Sequence, residues 1–134
     1  SFLIFVIKSE DLFFKLTKQN DSLLVFRSFA GSDDKYLEFS YSLSEGHYDV
    51  DFEINYHKIE NDIKSDVDLK WSMNGLSTEK IASDERIITT IMYRNFGNSR
   101  DYLSETSDDE EVLDGNLNWI AYKQKFFSCI LLSE

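Results

Sequence analysis

Apolar and polar residues alternate along much of the chain, which is typical of β-strands with one face buried. The clearest run covers 47–56 (HYDVDFEINY), in which five apolar residues from Tyr48 to Tyr56 share one face. Its other face is polar and mostly acidic: Asp49, Asp51, Glu53 and Asn55. The run at 35–43 (KYLEFSYSL) alternates in the same way, and Ser44–Gly46 joins the two. Because Gly46 can adopt positive φ, the pattern predicts a β-hairpin.

The same pattern predicts strands before and after this hairpin. They cover 2–7, 11–16, 22–29, 67–73, 86–94 and 101–105. A helical turn is predicted at 77–83 with Ser77 as its N-cap, and another near Val112. Turn residues separate the strands at the short spacing of antiparallel β folds. We therefore predict an all-β fold, an antiparallel sandwich or barrel with one or two short helical turns.

Composition adds the size and charge of the domain. The 134 residues suffice for one domain, and 42% apolar content indicates a folded chain. There are 14 basic and 25 acidic residues, a net charge of −11. This charge argues against a nucleic-acid partner and against docking on anionic lipid headgroups. It favours either simple solubility or an acidic surface for a basic partner.

The apolar stretches are too short to cross a membrane. Residues 2–7 (FLIFVI) are too few for a secretory core, and no run reaches the roughly 20 residues of a spanning helix. The most apolar and aromatic stretch, 118–132 (NWIAYKQKFFSCILL), is interrupted by Lys123, Gln124 and Lys125. The chain starts at Ser1 without Met, from which we expect a piece of a longer protein.

Carboxylates and histidines give the candidates for chemistry. The stripe Asp49, Asp51 and Glu53 places side chains roughly 6–7 Å apart on one strand face, a spacing usable for acid and base catalysis on a sugar or simply for a solvated surface. The acidic loop 108–114 lacks the ligand spacing of an EF-hand, so we expect no calcium site. His47 lies at the hairpin turn and His57 on the polar strand face, without zinc-ligand spacing.

No catalytic motif accompanies these residues. The sequence contains no GxSxG motif and no phosphate-binding Gly-rich loop. Cys129, the only cysteine, has apolar neighbours and is predicted to be a small buried side chain. We therefore predict no catalytic residue, no metal site and no cofactor.

The apolar stretch also carries a resemblance. The segment 117–132 (LNWIAYKQKFFSCILL) resembles the hallmark near the end of the periplasmic domain of the bacterial YidC membrane-protein insertases. The residues that match are Trp119, Ala121, Lys123, Gln124, Phe126 and Phe127. Further segments resemble consecutive blocks of that domain: 9–14 (SEDLFF), the hairpin at 35–56, 68–73 (DLKWSM), 89–94 (TTIMYR) and 101–105 (DYLSE).

The resemblance implies a fold and a role. The fold would be an antiparallel β-supersandwich similar to galactose mutarotase, with 1–134 forming a single periplasmic domain that lacks its first strands and all membrane helices. The location would be the periplasmic side of the inner membrane, between the first two spans of a multi-pass protein. The role would be non-catalytic help in inserting and folding nascent inner-membrane proteins, with or without the Sec translocon and its accessory subunits.

Two questions stay open at this point. We predict a strand around Trp119, a helical turn over Tyr122–Lys125 and a second strand over Phe127–Leu132, either as plain core or as a contact for membrane helices or a Sec partner. An exposed ring among Trp119, Tyr122 and Phe126 would favour the contact. The alternative function is a carbohydrate-binding or mutarotase-like module, which requires a histidine and a carboxylate converging on a sugar.

Overall fold

The structure is a computed structural model that describes residues 7–60, 63, 68–74, 77, 80–97, 99–104 and 106–133. The chain divides into two compact units, Ser1–Asp68 and Leu69–Glu134. Each unit contains one four-stranded antiparallel sheet, with strand orders β1-β2-β3-β4 and β6-β5-β7-β8. With one short helix and one 3₁₀ turn beside these sheets, the predicted all-β antiparallel fold class is confirmed.

The first unit is an up-and-down meander. A 3₁₀ turn at Ser9–Asp11 precedes the strands β1 (Lys15–Gln19), β2 (Leu23–Phe29), β3 (Tyr36–Leu43) and β4 (Val50–His57). Residues that pair directly across two strands point to the same face of the sheet, so the strand register places apolar side chains from neighbouring strands on one face. Its members include Leu24, Phe26, Leu37, Phe39, Tyr41, Phe52 and Ile54. Aromatic rings pack across this face, with Phe39 stacked on Phe14 at 4.7 Å and Tyr41 on Phe52 at 4.8 Å between ring centroids.

The predicted β3–β4 hairpin is confirmed. Phe39 pairs with Ile54 and Tyr41 with Phe52, so the apolar residues of both strands lie on one face. Gly46 adopts φ 80°, and the backbone N–H of His47 donates to the carbonyl of Ser44 at 3.1 Å. The placement of Tyr48 on the buried face is wrong, because β4 begins two residues later and the Tyr48 side chain is fully exposed.

The second unit begins with a helix and continues with strands. Its elements are α1 (Ala82–Ile88), β5 (Thr90–Asn95), β6 (Arg100–Ser104), β7 (Leu117–Lys123) and β8 (Ser128–Leu132). Strand β5 lies between β6 and β7, and Tyr93 in β5 and Ala121 in β7 are among the few buried apolar residues of the described chain. The strand predicted at 101–105 is confirmed as β6 over Arg100–Ser104.

Two predicted strands are wrong where the structure describes them. Within 11–16 only Lys15 and Leu16 are in a strand, because the 3₁₀ turn ends at Asp11. Residues 68–74 form no strand despite their alternating pattern. Trp71 there packs edge-on against Tyr122 of β7, with 4.8 Å between the ring centroids, whereas Leu69 is largely exposed. Residues 2–6 and Val67 lie outside the described residues.

The predicted helical turns are misplaced. The helix covers Ala82–Ile88 instead of 77–83, and Ile81 is its N-cap. Ser77 caps nothing, since its hydroxyl donates to the Glu85 carboxylate at 2.7 Å. The strand predicted at 86–94 begins only at Thr90, because residues 86–88 belong to the helix. The carboxylates of Asp84 and Glu85 in its first turn interact favourably with the helix dipole, which stabilises the helix although the residues that follow favour a strand. No helical turn occurs near Val112 in the described segment 106–116.

Candidate functional site

The hallmark residues form the β7–β8 hairpin. Trp119 pairs with Leu132 and Lys123 with Ser128, and the N–H of Gln124 donates to the carbonyl of Phe127 at 2.8 Å. That hydrogen bond closes a turn around Lys125 and Phe126. Two strands are therefore confirmed, with β8 beginning one residue later than predicted. The helical turn predicted over Tyr122–Lys125 is wrong, because Tyr122 and Lys123 continue the ladder of β7 and the chain reverses in a β-turn.

One face of the second sheet carries a shallow groove of about 290 Å³. Alternation along β7 places Trp119, Ala121 and Lys123 on this face, with the buried Ala121 between them. The groove is lined by Met92, Trp119, Ala121, Lys123, Ser128, Ile130 and Leu132. We call this surface the groove face. It is mostly apolar, with the Lys123 ammonium at the end nearest the turn.

The groove face is also basic. Arg94 of β5 lies opposite Trp119 of β7 and opposite Arg100 of β6, so both arginines share the face with Lys123. The paired strand positions that form this face include no Asp or Glu, since Asp101 lies on the other side of the sheet.

The tip of the hairpin is exposed and aromatic. Phe126 and Phe127 are 67% and 63% exposed, and the Lys125 ammonium lies 5.4 Å from the centroid of the Phe126 ring. Tyr122, by contrast, packs against Trp71. An exposed Phe126 is the observation that favours a contact surface over plain core.

The acidic stripe is only partly assembled. Asp51 and Glu53 point to the polar face of β4, where Asp51 accepts a hydrogen bond from the Ser42 hydroxyl at 3.3 Å. Asp49 precedes the strand, and its carboxylate lies 3.5 Å from Nδ1 of His47 with both side chains largely exposed. His57 lies at the far end of β4, stacked on Tyr36 at 4.8 Å. His47 and Asp49 therefore place a histidine beside a carboxylate, but both side chains are largely exposed and do not enclose the sugar that the mutarotase-like alternative requires.

An unpredicted cluster occupies that far end of the first sheet. Arg27 donates from Nε to Glu38 at 2.6 Å, and its guanidinium lies 4.2 Å over the Tyr36 ring. The strand register places Arg27 opposite Glu38 and Tyr36 opposite His57. The sequence pattern identified β2, β3 and β4 but not their register, and the register brings these residues together.

The acidic loop 108–114 is tied to strand β5. The Tyr93 hydroxyl donates to the Glu111 carboxylate, and the Asn95 amide donates to the carbonyl of Asp114 at 3.3 Å. The hydrogen bond to Glu111, burial and nearby carboxylates raise the pKa of Tyr93 to about 12.

Among the described residues, no three His, Cys, Asp or Glu side chains are arranged to hold a metal ion. Cys129, predicted to be buried, is exposed on β8 opposite Tyr122.

Comparison with known proteins shows which proteins this chain resembles. No family model and no solved structure matches the chain. Among curated proteins, the membrane protein insertase YidC of Phocaeicola vulgatus is 31% identical over 131 residues, which cover 96% of this chain and 21% of that protein. The YidC insertases of Bacteroides fragilis and Parabacteroides distasonis are each 28% identical, again over 96% of the chain and 21% of their own length.

The resemblance to YidC insertases is confirmed. The chain spans about a fifth of the length of these YidC relatives, and the similarity includes the hallmark hairpin and both sheets. In the part of the chain that the structure describes, no helix has the length and apolar character to cross a membrane.

Proposed function

We propose that this chain is part of the periplasmic β domain of a YidC-type membrane protein insertase. In this proposal it acts without catalysis, as a scaffold and contact surface in the insertion and folding of inner-membrane proteins. The observation that carries the proposal is the similarity along 96% of the chain to relatives named membrane protein insertase YidC. The exposed acidic residues at and before β4 give it a means of contact with a basic partner protein.

A deletion in the full-length insertase tests this role. If the chain supplies contacts and the insertion chemistry lies elsewhere, removing it leaves the insertion of a model inner-membrane protein largely intact and weakens co-purification with the Sec translocon. A chimaera in which this chain replaces the corresponding segment of the Phocaeicola vulgatus protein restores that co-purification. Abolished insertion, or unchanged association with Sec, would contradict the proposal.

The acidic stripe is the surface that we propose for a basic Sec accessory subunit. Replacing Asp49, Asp51 and Glu53 by lysine changes the local charge by six units, and we expect the salt-sensitive binding of the purified subunits to be lost. The matched control makes the same replacement at Asp108, Asp109 and Glu110 of the acidic loop. Equal loss of binding in both variants would show that overall charge, and not this surface, governs the interaction.

Exposed Cys129 offers a test of location. In whole cells carrying the full-length protein, a thiol reagent that does not cross the inner membrane should label Cys129 once the outer membrane is permeabilised. The Cys129→Ser variant identifies the labelled site. Labelling that requires rupture of the inner membrane would place the domain on the cytoplasmic side instead.

A further inference from the structure

The β7–β8 hairpin differs in charge from the remainder of the chain. Its residues, Leu117–Leu132, include two lysines and no Asp or Glu. The whole chain has 25 acidic residues in 134, a density that would place about three in a segment of this length. The net charge of −11 therefore describes the molecule as a whole and not this hairpin.

The tip of the hairpin combines the two features of a membrane-interface contact. Phe126 and Phe127 are adjacent in the chain, and both rings are more than half exposed at the turn. Lys123 precedes them on the groove face and Lys125 lies beside Phe126. Phe side chains of interfacial segments enter the boundary between headgroups and acyl chains, and lysines beside them extend their ammonium groups to the polar surface.

We infer that the tip Lys123–Phe127 docks on the surface of an anionic phospholipid bilayer. The rings of Phe126 and Phe127 enter the headgroup region, and Lys123 and Lys125 bind lipid phosphates. This interaction goes beyond the proposed role in insertion, because it belongs to the chain itself and needs neither a client protein nor the Sec translocon.

The acidic residues elsewhere in the chain are compatible with docking at the tip. At physiological ionic strength the screening length is about 8 Å, so carboxylates farther than this from the bilayer repel it weakly. The acidic residues of the described chain lie outside the hairpin, and approach through any of their surfaces would meet repulsion. The charge distribution therefore favours contact at the tip.

A lipid surface fits the tip better than a protein does. Stable protein interfaces use roughly 20 to 30 residues on each side, and lysine is depleted at their cores. A five-residue tip with two lysines beside two exposed rings is too small and too charged for such a core. The same composition is sufficient for shallow insertion into a bilayer.

Vesicle flotation with this chain tests the inference. We expect binding to vesicles of phosphatidylglycerol and phosphatidylethanolamine, and little binding to phosphatidylcholine vesicles. Replacing both Phe126 and Phe127 by serine should reduce binding at least tenfold. Each lysine near an anionic surface contributes about a fivefold change, so the double change of Lys123 and Lys125 to glutamine should reduce binding about 25-fold at low salt.

Matched controls separate the tip from general effects. Phe96→Ser removes a 55% exposed ring from the turn between β5 and β6 of the same unit, and Lys15→Gln with Lys18→Gln removes two exposed charges from β1. Both controls should bind as the unchanged chain does, and circular dichroism checks that all variants fold. Equal binding of the serine variant and the unchanged chain, or binding by the tip to Sec proteins but not to vesicles, would overturn the inference. Neither result bears on the deletion experiment, which tests the proposed function separately.

Discussion

The hydrogen bond between Tyr93 and Glu111 is the residue contact that fixes the acidic loop. Tyr93 is buried, and its neutral phenol donates to a carboxylate that would repel the tyrosinate. A tyrosine pKa raised from its usual 10 to about 12 stabilises the folded state fully below pH 10. This contribution is lost as the pH rises through about 12, where the phenol ionises in the folded protein as well.

Removing the charge of Glu111 tests this contact. In Glu111→Gln the pKa of Tyr93 should fall from about 12 toward its usual 10, because the main cause of the shift is the carboxylate partner. Alkaline absorbance titration measures the change, and the Tyr93→Phe variant identifies which of the seven tyrosines gives the signal. Asp108→Asn is the control in the same loop. A titration of Tyr93 that does not respond to Glu111→Gln would mean that the loop is held in another way.

At the scale of elements, the β3–β4 turn depends on one backbone conformation. Gly46 has φ 80°, and no atom lies within 4 Å of a Cβ added there, so a side chain meets a conformational cost without a clash. We expect Gly46→Ala to lower the free energy of unfolding by about 1 kcal/mol. Urea denaturation measures this, and Glu45→Ala in the same turn should change stability by less than half as much. Equal effects of the two changes would show that the turn tolerates the strain.

Elements were predictable where alternation and turn residues agreed. The β3–β4 hairpin and the strand containing Asp101 met both conditions, and the structure has them in place. The segment 68–73 alternates as well but pairs with no strand, and Trp71 instead packs against Tyr122, a tertiary contact that a local pattern does not distinguish from strand pairing. The missed signal at 82–88 was the pair of acids in the first helical turn, Asp84 and Glu85.

The sequence identified the segments that carry the candidate sites but not which of their residues lie together on one surface. The hallmark residues were identified from the sequence, yet their division between groove face and tip follows from where the β-turn falls. Arg94 and Arg100 lie on the same face of the sheet as Lys123 because β5 pairs with β6 and β7 in this register. Register depends on contacts between distant parts of the chain, and this is the information that alternation within a single strand lacks.

At the scale of the whole molecule, the prediction of a single domain over 1–134 can be tested through cooperativity. Both tryptophans, Trp71 and Trp119, belong to the unit Leu69–Glu134, so tryptophan fluorescence during unfolding reports that unit alone. Val25 lies in the other unit and is only 6% exposed. Val25→Ala removes buried methyl groups and should destabilise its own unit by about 2 kcal/mol.

The response of the tryptophan signal then distinguishes one cooperative domain from two. For a single domain, we expect Val25→Ala to move the urea midpoint seen by tryptophan fluorescence as far as the midpoint seen by circular dichroism, because all of the chain unfolds in one transition. Tyr48→Ser, at a fully exposed position of the same unit, should move neither midpoint. A fluorescence midpoint that stays in place while part of the circular dichroism signal is lost earlier would show two independently folding units. The sheet that carries the hairpin tip would then be stable without the sheet that carries Asp51 and Glu53, and the two contact surfaces could be studied separately.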